Sequence, residues 1–143
     1  MALIKIEIMD TTLRDGEQTS GVSISVSERL TIAKLLLEEL NVDRLEIASA
    51  RVSEGELQAV KKITSWAAEN NYLEKVEVLT FVDAGRSIEW MLDAGAKVQN
   101  LLTKGSLNHL THQLKKTPAE HFVEIKKNIN AAAKQGINFL LYT

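Results

Sequence analysis

The sequence contains no cysteine. That excludes disulfide frameworks and thiolate metal sites, and it makes a reducing compartment the expected setting. Proline occurs once and glycine seven times in 143 residues, which excludes a collagenous or proline-rich disordered chain. No charge of one sign dominates: 17 Lys and Arg stand against 19 Asp and Glu, a formal net charge of -2. With no basic run, the chain offers no footprint for nucleic acid or an anionic membrane. Long hydrophobic runs are missing too. The apolar stretches fall far short of the ~20 residues that span a bilayer, and the N-terminus MALIKIEIMD has neither a basic n-region nor a cleavage site. The expectation is a soluble, cytoplasmic, single-domain protein. Its length also excludes a complete (β/α)8 barrel, which needs at least about 200 residues.

What is present is an alternation of two periodicities. Ile4, Ile6 and Ile8 alternate with Lys5 and Glu7, a period of two that predicts a first strand. Ser25 and Glu28 stand at capping-box spacing and open a helix with Ile32, Ala33, Leu36, Leu37 and Leu40 on one face, ended by Asn41. A strand is predicted over Val42–Ala48. A second helix starts at Ser53 and Glu56 and carries Leu57, Val60, Ile63 and Ala67 as its stripe. Val76–Phe81 reads as a strand, Gly85–Ala94 as a short helix stopped by Gly95, and Val98–Leu102 as a strand. A connection of about 13 residues follows, long for a βα loop. Thr117-Pro118-Ala119-Glu120 then combines cap, first-turn proline and capping glutamate, and Gly136 ends that helix. Ile137–Tyr142 is the fifth strand.

The fold class is therefore α/β: parallel (β/α) repeats with right-handed crossovers, about five strands and four helices, equivalent to a partial TIM barrel. Opposite the apolar face the strands carry Lys5, Glu7, Glu46, Lys75, Glu77, Lys97 and Gln99. A doubly wound sheet buries both faces and has near-continuous apolar strands. Here one face is expected to be helix-covered, and the other either enclosed in a polar network or left wet.

The densest chemistry follows the first strand, in Asp10-Thr11-Thr12-Leu13-Arg14-Asp15-Gly16-Glu17-Gln18-Thr19-Ser20-Gly21. Parallel α/β proteins place their sites beyond the carboxyl ends of strands. Asp15 offers a hard oxygen ligand to a divalent cation, and Arg14 a fixed positive charge for a developing enolate. Read from the residues alone, the same stretch also fits a solvated Arg–Asp turn.

The string DTTLRDGEQ resembles the signature of the DRE-TIM metallolyase superfamily. That superfamily includes isopropylmalate, homocitrate and citramalate synthases, hydroxymethylglutaryl-CoA lyase and the carboxyltransferases. The resemblance continues through GVSISVSERLTIAKLLLEELNVDRLEIASARVSEGE, VEVLTFVD, GAKVQNLLTKGSLNHL and FLLYT, and looks most like the citramalate synthase branch. It covers essentially all of the chain, residues 1–143, and about the first half of the family's (β/α)8 catalytic barrel.

The resemblance implies an acyltransferase that condenses acetyl-CoA with a small 2-oxo acid, pyruvate to citramalate, in branched-chain amino-acid biosynthesis. It implies a divalent metal (Zn, Mn or Mg) with Asp15 as ligand, Arg14 as the catalytic and substrate-binding arginine, and Gln18 in support. Leu79, Leu102 and Tyr142 match the wall of the oxo-acid pocket. Isopropylmalate synthase, acting on a bulkier oxo acid, is the enzymatic alternative.

The sequence also departs from the family. The metal's two histidine ligands form an HxH motif there, and this chain has none; His109, His112 and His121 are its histidines. His109 and His112, at i, i+3 in the long fourth connection, read as a solvated polar face. The family's catalytic glutamate would fall just beyond Tyr142. The expectation is weak or absent metal binding and no condensation by this chain alone. A third reading is a non-catalytic half-barrel whose open edges self-associate into a homo-oligomer. Trp66 and Trp90 read as helix–sheet packing. Arg51 reads as substrate contact or as capping and solvation, and Lys104, Lys115 and Lys116 as an exposed basic loop or as contacts to CoA phosphates.

Overall fold

The computed structural model describes the chain over residues 5–142 and its side chains over 5–140. Five parallel strands lie side by side in chain order: β1 (Met9–Asp10), β2 (Arg44–Ser49), β3 (Val76–Phe81), β4 (Val98–Leu102) and β5 (Asn138–Tyr142). The helices are α1 (Val26–Lys34), α2 (Glu54–Glu69), α3 (Arg86–Asp93) and α4 (Pro118–Lys134). Strand order never reverses. With crossovers of one hand, each helix therefore packs on the same side of the sheet, as in a barrel and unlike a doubly wound fold.

The helix-side core joins Leu45, Ile47, Val76 and Val78 of the strands to Leu37, Val60, Ile63, Met91 and Ala132 of the helical layer. Two capping boxes form as their spacing requires. Ser25 accepts from the Glu28 amide while Glu28 reaches back to the Ser25 amide, and Thr117 and Glu120 do the same at α4. Trp66 and Trp90 lie in α2 and α3 and pack against the core, with Trp66 stacked on Tyr72 at 5.5 Å between ring centroids.

Four expectations need correction. Among the described residues the first strand covers only Met9–Asp10, because β2 begins at Arg44 and its register pairs Met9 with Arg44 and Asp10 with Leu45. Ile6 and Ile8 are exposed, while Ile4 lies outside the described residues. Leu40 is not on the core face: α1 continues as a π-helical turn over Leu35–Glu39, closed by the Leu40 amide on the Leu35 carbonyl. The wider turn rotates Leu40 into solvent, 70% exposed, while Leu36 and Leu37 stay buried. The long fourth connection contains a π-helical turn, His109–Leu114, anchored by buried Leu110.

The last correction concerns Gln99. Register pairs it with Val78 of the helix-side core, and its carbonyl accepts from the Thr80 hydroxyl at 3.2 Å. Gln99 is thus under the helices, not on the opposite face. Glu46 and Glu77 do share that opposite, inner face, in register with each other and fully buried.

One irregularity sets which residues face inward. The β2–β3 register slips between Glu46 and Ala48, so that Ser49, rather than Ala48, stands on the row of Leu79. Ile47, Ala48 and Ala50 all belong to the helix-side core. Phe139 and Leu140, on outermost β5, are 44% and 38% exposed. Among the described residues no helix is long and apolar enough to cross a membrane.

Candidate active site

The loop after β1 is built as a rigid turn. Asp10 accepts from the Thr12 amide and hydroxyl, at 2.9 and 3.1 Å, which reverses the chain as it leaves the strand. The Thr11 carbonyl then accepts from the amides of Arg14, Asp15 and Gly16 at 3.1, 2.8 and 3.2 Å. Leu13 is driven into the core at 0% exposure and pins the turn. Its neighbours Arg14 and Asp15 are left at the carboxyl end of the sheet.

Arg14 is held firmly. Its Nε donates to Glu46 Oε2 at 2.5 Å, and its Nη1 to Asp15 Oδ1 at 2.7 Å. The other Glu46 oxygen accepts from Asn100 Nδ2 at 2.8 Å. Glu46 is thus a buried carboxylate with both oxygens engaged, one from the β1 loop and one from β4. A buried charge persists only when paired and hydrogen-bonded in this way. The Nη2 edge of Arg14 has no protein acceptor among the described residues.

Further down the same face, Arg44 Nε donates to Glu77 Oε1. Glu77 Oε2 has no partner among the described residues, and burial pushes its carboxyl above the usual range against the opposing pull of Arg44.

The remaining sequence-derived residues fall into two sets. Leu79, which is buried, and Leu102, half-buried, are in register with inner-face positions: Leu79 with Asn100, and Leu102 with both Phe81 and Tyr142. Strand alternation then puts Leu79, Asn100, Leu102 and Phe81 on the inner face above Glu77. Tyr142 ends β5 on the Leu102 row; its side chain lies outside those described. Gln18 closes the short 3-10 turn Gly16–Gln18, exposed, on the wall of a 250 Å³ cavity that Arg14 also lines.

The basic residues and histidines lie apart. Arg51 donates to Asp83 at 3.0 Å, across the ends of β2 and β3. Lys116 pairs with Glu124 at 2.5 Å. His109 and His112 are exposed, and His121 is buried in α4 with neither ring nitrogen bonded among the described residues.

This donor set does not fit a divalent metal. Asp15 is a single carboxylate already engaged by Arg14, and no three His, Cys, Asp or Glu side chains gather among the described residues. A hard cation takes about six oxygen ligands. Strand periodicity places Glu46 on a polar face and says nothing of Asn100. Each lies tens of residues from its partner, and the only signal was a charged residue in the middle of an apolar strand.

Comparison with known proteins follows the same lines. The HMGL-like family model matches residues 5–141. The (R)-citramalate synthase of Methanocaldococcus jannaschii is 36% identical over 132 residues, 92% of this chain and 26% of that protein. A 2-isopropylmalate synthase of Pyrococcus furiosus is 40% identical over 116 residues, 81% of this chain and 23% of that protein. The chain thus spans about a quarter of the length of these relatives. In fold, it resembles the crystal structure of Bacillus subtilis HMG-CoA lyase with a TM-score of 0.70 at 21% identity, over 96% of this chain and 46% of that one. A match that runs from ahead of β1 into β5, on a partial α/β barrel with this loop at its carboxyl end, places the chain in the HMGL-like family of the DRE-TIM superfamily.

Proposed function

We propose that the chain carries the oxyanion-stabilising end of an acyltransferase barrel that condenses acetyl-CoA with pyruvate to give citramalate. Membership of a family whose similar members are named citramalate and isopropylmalate synthases supports the class of reaction. The single observation that carries the reading is the mounting of Arg14. A fully buried glutamate, itself held by an asparagine two strands away, fixes its guanidinium, and the Nη2 edge has no acceptor among the described residues.

In such a condensation the methyl carbon of acetyl-CoA loses a proton and attacks the keto carbon, whose oxygen gains the negative charge. A guanidinium fixed beforehand stabilises that oxygen without reorganising during the step. Leu79 and Leu102 would give the oxo-acid pocket an apolar wall. It matches the methyl of pyruvate and offers no partner to a second carboxylate. No step is assigned to a metal, because the donor set at Asp15 does not fit one.

The alkoxide takes up a proton, and water then hydrolyses the thioester of the condensation product to citramalate and the free CoA thiol; release of that thiol tests the proposal. The chain alone is expected to give no turnover with pyruvate. Mixed with a separately expressed second half of the M. jannaschii relative's barrel, it is expected to turn over pyruvate faster than 2-oxoisovalerate. Arg14→Met should then cut kcat by about 10²–10³-fold, as for loss of an oxyanion donor. Turnover by the chain alone would overturn its isolated inactivity. Indifference to Arg14→Met would overturn the assigned role, and a preference for 2-oxoisovalerate would move the reading to isopropylmalate synthase.

A further inference from the structure

We infer that Arg29 is a positioning residue that fixes the loop bearing Arg14 and Asp15, by clamping Glu17 of that loop to Glu56 of α2. The inference rests on the reading of Arg14 as the working group of the site.

Arg29 projects from α1 and its side chain is 7% exposed. Its Nη2 donates to Glu56 Oε1 at 2.9 Å and its Nη1 to Glu56 Oε2 at 3.3 Å, a two-point contact with the first turn of α2. The same Nη2 donates to Glu17 Oε2. Glu17 Oε1 accepts from the Ile24 amide at 3.3 Å, and Arg29 Nε reaches the Ile24 carbonyl at 3.4 Å. One guanidinium therefore ties together the active-site loop, the entry to α1 and the start of α2.

The geometry makes this tie relevant to Arg14. The Thr11 carbonyl holds residues 14, 15 and 16 as one turn, and that turn has two anchors. Leu13 in the core is the first, and Glu17, three residues beyond Arg14, is the second. Arg14, Glu17, Ser49, Arg29 and Glu56 line one 250 Å³ cavity, so the clamp and the catalytic guanidinium share a wall. Two carboxylates converge on Arg29, and burial with the nearby Glu17 charge pushes the Glu56 carboxyl up, against the pull of Arg29. A lysine, a single point charge without the planar fork, cannot reproduce the two-point contact with Glu56.

Hydrogen exchange of the Arg14 Nε–H, which Glu46 holds at 2.5 Å, reads this without any substrate. The chain has five arginines, so its Nε–H signals are assignable on the 15N-labelled protein. Arg29→Met should speed exchange at Arg14 by about tenfold or more, as expected for loss of a charge-assisted hydrogen bond in the supporting shell. Arg29→Lys should fall between it and the wild type. Thr117→Ala, which removes a distant helix cap, should lower the melting temperature and leave Arg14 exchange unchanged. If Arg29→Met does not fold, the lysine variant decides. Arg14 exchange unchanged in a folded Arg29 variant would overturn the inference. Failure of the condensation chemistry would leave this readout untouched, so the two readings fail separately.

Discussion

The two faces of one sheet are held by different forces. On the helix side, Leu45, Ile47, Val76 and Val78 bury apolar area against Leu37, Val60, Ile63 and Met91. On the inner side, Glu46 and Glu77 lie flat under two arginines, and Asn100 completes the first pair. Apolar burial has no direction and tolerates any filling of similar volume. A buried ion pair adds little net stability over an apolar replacement, but its hydrogen bonds have preferred distances and angles. The difference separates two tasks: the outer face keeps the chain folded, and the inner face keeps Arg14 in place.

The comparison is broken most severely from the apolar side. Ile63→Ala, at a fully buried position, should cost about 2–5 kcal/mol in urea unfolding. The Arg14 Nε–H signal should keep its wild-type shift in whatever fraction remains folded. A shift there would show that the two faces are not separable.

Glu46→Leu comes next. It removes the acceptor of Arg14 Nε and of Asn100 Nδ2 and should cost about 3 kcal/mol, the size of a broken buried pair. The double variant Arg14→Met, Glu46→Leu should recover most of that loss while abolishing the site. Equal stability of the single and double variants would mean that the pair is not coupled.

The smallest effect is a slope. Burial raises the Glu77 carboxyl above its ordinary 4.5, so the folded chain holds that proton more tightly than the unfolded chain. Its contribution is fully present below the ordinary value and is lost as pH rises through the raised one. Glu77→Gln cannot titrate, so between about pH 4 and 7 its urea midpoint should fall less with rising pH than that of the wild type. Parallel slopes in the two proteins would show that Glu77 does not contribute to that window.

The elements that sequence pattern reached are those whose cause is local. The Ser25–Glu28 and Thr117–Glu120 boxes, Pro118 at the first turn and the loop around Arg14 and Asp15 each state their structure within a few residues. The misses have causes that apolar spacing does not carry. Ile6 and Ile8 continue the alternation, yet a strand is only as long as its partner, and β2 begins at Arg44. Leu40 keeps helical spacing from Leu36 and Leu37, yet a π-turn between them changes the phase. Within the site, Arg14 and Asp15 stand in a recognisable string, whereas Glu46 meets Arg14 across 32 residues of sequence and Asn100 meets Glu46 across 54. No periodicity encodes that meeting.

The slip between Glu46 and Ala48 deserves its own consequence, because it acts on β2 as a frame shift acts on a message. In strict alternation, the side that shows Glu46 would go on to show Ala48 and Ala50, two inert methyls. With one residue taken out of phase, the chain reads on in the other frame. Both alanines join the helix-side core, and Ser49 takes the inner-face row of Leu79 and Asn100 at the carboxyl end of the strand. A change of phase with no change of composition thus decides whether this strand closes the site with a polar hydroxyl or with a methyl.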